Sequence, residues 1–83
     1  MYFVYVLKSE CYNRFYIGIS DNIDRRLKEH NNGKTKSTKH YRPWNLVFSE
    51  MYENRAQARV REKYLKSGIG REYIKNWPGS SVG

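Results

Sequence analysis

The stretch Tyr2-Phe3-Val4-Tyr5-Val6-Leu7 constrains the fold more than any other part of this chain. It is aromatic, β-branched or aliphatic throughout and shows no helical period, so it predicts a strand. Near-continuous apolarity further predicts cover on both faces, which places the strand centrally in a sheet. Lys8 to Arg14 is polar, and Asn13 suits a turn. Phe15 to Ile19 then reads as a second strand, the hairpin partner of the first. Gly18 falls late in that strand, where a missing side chain lets another backbone or a ligand come close.

Asp21 to Gly33 reads as the first helix, with Asp21 as cap and Asn22 as the competing cap. Asp24 suits the positive end of its dipole, Ile23 and Leu27 form an apolar i, i+4 pair, and Gly33 is a natural stop. Lys34 to Trp44 follows as a basic loop, from which Pro43 excludes a central strand. Asn45 to Tyr52 alternates imperfectly around Leu46, Val47, Phe48 and Met51 and predicts a third strand. Asn54 is expected to cap a second helix that runs to about Ser67 and is ended by Gly68. Gly70 to Trp77 predicts a short third helix stopped by Pro78. The order is β-β-α-β-α-α, an α+β class, with residues 1–77 as one domain and 78–83 as a disordered tail.

Charge narrows the partner. The 83 residues include 16 Lys and Arg against 8 Asp and Glu, a formal net charge of +8. A domain this small does not need that excess for solubility, so a polyanion is the expected partner and an uninvolved basic surface the bland alternative. Cys11 is the one cysteine, which excludes an internal disulfide and a cysteine-built zinc site. It reads as a free thiol in a reducing compartment. No apolar run approaches the roughly 20 residues of a membrane span. The apolar N-terminus reads as a strand with no basic leader, so a cytoplasmic protein without a membrane partner is expected.

Three features can carry chemistry. Arg26 and His30 lie four apart on one helix face. Their ordinary explanations are a solvated guanidinium and a histidine complementing the helix dipole. Glu62 shares its helix side with Ala58, Arg61 and Leu65, and a carboxylate turned toward a core needs a partner or a metal. A salt bridge to Arg59, Arg61 or Lys66 is the ordinary alternative. Lys34, Lys36, Lys39, His40 and Arg42 read as a phosphate-tracking patch, with Thr35, Ser37 and Thr38 as neutral donors. Tyr41 and Trp44 could stack on bases, although Trp44 beside a proline turn is more often a core residue.

Taken together, Val4-Tyr5, Tyr16-Ile17-Gly18, Arg26 eight residues after Gly18, His30, and Glu62 in the second long helix resemble the GIY-YIG nuclease family. The resemblance spans about residues 2 to 77. The chain particularly resembles the short single-domain bacterial members of the YhbQ type, related to the N-terminal domain of the excision-repair subunit UvrC. It implies a three-stranded antiparallel sheet flanked by helices, and a metal-dependent DNA endonuclease, structure-guided and acting in repair or processing. Tyr5, Tyr16, Arg26 and His30 would form its catalytic site. Glu62 would hold a single Mg²⁺ or Mn²⁺. Asn76 is a weaker match to a family asparagine.

Two departures matter. Phe3 stands where the first motif has glycine, and Ile19 stands where some repair nucleases carry lysine. A tyrosine of ordinary pKa about 10 therefore has to be activated by the metal, Arg26 or His30. Tyr5 is the first choice of base, Tyr16 would orient water or phosphate, and His30 is the alternative base. DNA is the expected substrate, RNA remains open, and a partner protein could supply specificity. The competing readings are a basic nucleic-acid-binding module with little or no catalysis, and an aromatic-rich protein adaptor. The excess of lysine argues against the adaptor.

Overall fold

The computed structural model describes residues 1–75, so Asn76, Trp77 and the predicted tail lie outside the described residues. Strand β1 covers Tyr2–Ser9, β2 Phe15–Ser20 and β3 Trp44–Tyr52; helix α1 covers Ile23–Asn31, α2 Arg55–Lys66 and α3 Gly68–Lys75. A short 3₁₀ turn, Lys39–Tyr41, sits in the basic loop. The sheet is antiparallel in the order β2-β1-β3, as the class expected from sequence requires.

β1 is the central strand and is buried on both faces, with Val4, Tyr5, Val6 and Leu7 no more than 1% exposed. That is why the segment reads as continuously apolar. On one face Val4, Val6, Ile17 and Phe48 pack with Ala58 and Leu65 of α2 and Ile74 of α3. On the other, Tyr5, Leu7 and Trp44 are covered by Tyr16, Tyr41 and the Ile23–Leu27 pair of α1. The imperfect alternation in β3 has a physical cause. Val6 pairs with Phe48 but Leu7 pairs with Leu46, so a bulge lies between. The extra residue puts Trp44 and Phe48, four apart, on opposite faces.

Caps explain the helix limits. Asn22, not Asp21, caps α1: its side chain accepts from the Arg25 N–H at 3.0 Å. Gly33 has φ +78 and ends the helix as expected. Asn54 caps α2 by accepting from the Gln57 N–H at 2.9 Å. The break after α2 comes from Ser67, whose backbone is extended, and Gly68 opens α3 instead of closing α2. Ser67 Oγ donates to the Tyr64 carbonyl and accepts from the Gly70 N–H, so one residue closes one helix and starts the next. Among the described residues no helix is long and apolar enough to cross a membrane.

Candidate active site

The register of the hairpin builds the site. Tyr5 of β1 is paired with Gly18 of β2. With no Cβ at Gly18, the Tyr5 ring lies across the neighbouring strand, close beside Tyr16. The Tyr5 hydroxyl is 3.3 Å from His30 Nε2, and His30 Nδ1 is 2.8 Å from Thr38 Oγ1. Thr38 Oγ1 in turn donates to the Thr35 carbonyl at 3.3 Å. With its proton used there, Thr38 accepts from Nδ1–H, which assigns the bare nitrogen to Nε2 and makes Tyr5 O–H the donor to it. His30 is fully buried in the last turn of α1, so it does more than complement the helix dipole.

Arg26, one turn before His30, is near enough to the Tyr5 phenol to act on its charge, and its Nη1 is 2.7 Å from Glu29. Burial pushes the Tyr5 phenol above its ordinary 10.0; the Arg26 guanidinium pulls the other way, and Tyr16 adds to the rise. In this chain alone, burial outweighs the guanidinium. His30 is held below 6.5 by burial first and by the positive charge of Arg26 second. Around neutral pH the pair is therefore a neutral phenol donating to a neutral imidazole. Tyr16 completes the cluster, its ring 4.5 Å from that of His30 and 6.1 Å from that of Tyr5.

Glu62 comes from α2, whereas these four come from the hairpin and α1. Its side chain is 17% exposed and accepts from Lys66 Nζ at 3.2 Å, the ordinary salt bridge considered above. Arg55, Glu62 and Lys66 fall on one stripe of α2. Arg55 lines a depression with Arg26 and Ile19, whereas Lys66 lines a groove with Tyr16 and Ile17. Glu62 thus sits on the helix between the points where α2 borders Arg26 and Tyr16. Among the described residues no group of three His, Cys, Asp or Glu could hold a metal ion. A single carboxylate whose partner is one exposed lysine fits a hard divalent cation that keeps water and phosphate oxygens as its other ligands.

The basic loop keeps Lys34, Lys36, Lys39, His40 and Arg42 exposed. His40 stacks on Tyr12, and Arg42 Nε donates to the Lys39 carbonyl at 2.8 Å. Trp44 is core, 3% exposed, and its indole donates to the Thr38 carbonyl at 2.8 Å, so it is not a base platform. Asn31 brackets the Trp44 backbone with bonds of 2.6 and 3.1 Å and ties the end of α1 to β3. Thr38 is the residue that sequence reasoning undervalued. A threonine among loop donors carries no mark of burial, yet it is 2% exposed and orients His30.

The fold and this cluster define a small α+β domain with a Tyr-Tyr-Arg-His site on its hairpin and first helix. The GIY-YIG catalytic domain matches residues 1–74. A UPF0213 protein of Clostridium perfringens is 40% identical over 67 residues, covering 80% of this chain and 71% of that protein. A UPF0213 protein of Staphylococcus aureus is 37% identical over 67 residues, covering 80% of each. The solution NMR structure of a UPF0213 protein from Bacillus halodurans superposes with a TM-score of 0.56 at 28% identity, covering 98% of this chain and 89% of that one. The chain belongs to the GIY-YIG nuclease family.

Proposed function

We propose that this protein is a divalent-metal-dependent endonuclease that hydrolyses DNA phosphodiester bonds. The observation that carries the reading is the Tyr5 hydroxyl, which meets His30 Nε2 while lying close to Arg26 and Tyr16. A neutral phenol is a poor base at neutral pH. The hydrogen-bond direction supplies a route: as Tyr5 takes a proton from the attacking water, its own proton passes to His30 Nε2. The lowered pKa of His30 keeps that nitrogen free to receive it. Tyr16 lines the open groove and holds the water against Tyr5. Arg26, 32% exposed, neutralises charge developing on the phosphoryl oxygens. Glu62 would hold the Mg²⁺ or Mn²⁺, which when bound polarises the phosphate and stabilises the leaving oxygen.

The second reading is a nucleic-acid-binding module without catalysis. It is favoured by the Glu62–Lys66 pair, an ordinary salt bridge that accounts for the carboxylate without a metal. One experiment separates the two. Duplex, flap, junction and single-stranded DNA are incubated with and without Mg²⁺ or Mn²⁺, with wild type, Arg26→Ala and Glu62→Ala. The nuclease reading expects metal-dependent nicking of at least one substrate and its loss in both variants. Salt-sensitive binding with no cut in any substrate would leave the binding module.

A further inference from the structure

A basic groove runs over the free edge of β2. It has a volume of about 650 Å³ and is lined by Arg14, Lys66, Arg71 and Lys75 together with Tyr16 and Ile17, with no acidic residue among its lining. Tyr16 and Ile17 point to opposite faces of the sheet, so a hollow that touches both opens at the strand edge. β2 pairs only with β1, which leaves its outer backbone groups unpaired within the sheet. Among the described residues Arg14, Arg71 and Lys75 take part in no ion pair. At the other end of β2, a smaller depression of about 290 Å³ is lined by Arg25, Arg26 and Arg55 with Tyr2, Ile19, Ser20 and one carboxylate, Asp21, which pairs with Arg25 at 3.3 Å. Each hollow is thus bordered by one member of the candidate site, Tyr16 in the first and Arg26 in the second.

We propose that a single polynucleotide strand lies along the edge of β2, its phosphates held by Arg14, Arg71 and Lys75 on one side of the tyrosines and by Arg25 and Arg55 on the other. The three residue steps from Tyr16 to Ile19 span roughly 10 Å at about 3.3 Å per step, which sets the two groups of cations on either side of a central phosphate. Cations in a concave site are suited to release counterions on binding and carry no sequence information. Among the described residues Arg14, Arg71, Lys75 and Arg55 are in no ion pair, whereas Arg25 would have to share its guanidinium with Asp21 and Glu29. The path rests on the nuclease reading only for the identity of its central phosphate.

The test is binding in EDTA, where no cutting is needed. Affinity of a labelled single-stranded oligodeoxynucleotide is measured against salt for wild type, Arg71→Gln/Lys75→Gln, Arg14→Gln and Arg55→Gln. Lys28→Gln/Lys63→Gln removes the same charge as the first variant from exposed positions outside both hollows. The groove double variant is expected to bind roughly tenfold or more weakly, with a log–log salt slope reduced by about 1.4, two contacts at about 0.7 each. Arg14→Gln and Arg55→Gln should each lower the slope by about 0.7. Equal loss in the groove and charge-matched doubles overturns the path, as does a wild type that binds no oligonucleotide at low salt. Groove-dependent binding without any Mg²⁺-dependent cut would overturn the nuclease reading and leave the path standing. A cut that ignores the groove variants would do the reverse. An oligoribonucleotide of the same sequence reports whether the strand is read as DNA or as phosphate alone.

Discussion

The Tyr5 hydroxyl occupies the space that a side chain at Gly18 would need: a Cβ there would lie 2.7 Å from the Tyr5 oxygen and 2.8 Å from its Cζ. Tyr5 is 1% exposed and cannot swing aside into solvent. Gly18→Ala is therefore expected to cost about 1–3 kcal/mol of stability by overpacking. It should also displace the phenol from His30, and misplacement of about 1 Å reduces cutting roughly a hundredfold. Urea denaturation and the nicking rate check the two effects. A Gly18→Ala protein of wild-type stability and rate would show that the contact is slack.

Much of this arrangement was legible in the sequence, and the reasons are local. The double-sided burial of β1 wrote itself into an unbroken apolar run, and Asn54 and Gly33 marked helix ends through their own backbone chemistry. Tyr5, Tyr16, Arg26 and His30 stand out in the sequence through the family resemblance, and one hairpin and the helix that follows it bring them together. Thr38 does not, since its contact with His30 depends on how a loop without periodicity folds back. Arg71 and Lys75 carry no mark in the sequence for a related reason: the turn at Ser67 brings α3 beside β2, and nothing in α3 itself reports that.

His30 makes stability depend on pH. Its folded pKa lies below the unperturbed 6.5, so below that pH the unfolded chain takes up a proton that the folded one resists. Its stabilisation is complete above about pH 6.5 and declines as pH falls through the lower folded value. Thermal unfolding from about pH 8 down to 5 should show this decline, and His30→Gln should flatten it relative to wild type. Equal slopes in the two proteins would mean that His30 titrates normally.

Thr38 fixes the imidazole, which predicts different outcomes for two conservative changes. Thr38→Val keeps the shape but leaves the buried Nδ1–H without an acceptor, an expected loss of about 1–3 kcal/mol. Thr38→Ser keeps the hydroxyl and should stay near wild type. Nitrogen NMR of the imidazole provides a second check: wild type and Thr38→Ser should show the proton on Nδ1, and Thr38→Val a mixture. A single unchanged tautomer in Thr38→Val would remove the positioning role from Thr38.

Two glycines at the α2–α3 corner should behave oppositely. A Cβ at Gly70 would meet the backbone of α2, the Tyr64 carbonyl oxygen and the Leu65 Cα among it, whereas at Gly68 nothing lies within 4 Å. Backbone cannot yield as a side-chain tip can, so Gly70→Ala should cost at least about 2 kcal/mol by prising α3 from Leu65. Gly68→Ala should be neutral or gain a few tenths of a kcal/mol by restricting the unfolded chain. Chemical denaturation of both variants decides it, and equal stabilities would refute the close packing of this corner.

With Glu62 as the proposed cation ligand, Lys66 would compete with the cation for it, which predicts a split between metal and nucleic-acid affinity. The ammonium lies 3.2 Å from Glu62 Oε2 and is 55% exposed, so the pair is screened and weak. An exposed pair of about 0.2–1 kcal/mol corresponds to at most about a fivefold handicap on the cation. Lys66→Met should therefore tighten Mn²⁺ binding by up to about fivefold, whereas Glu62→Gln should weaken it severely. Because Lys66 also lines the groove, the same Lys66→Met change should weaken oligonucleotide binding in EDTA. Mn²⁺ titration by electron paramagnetic resonance and oligonucleotide titration by anisotropy read the two arms separately. Loss of both affinities in Lys66→Met would show that the lysine supports the carboxylate instead of competing for it.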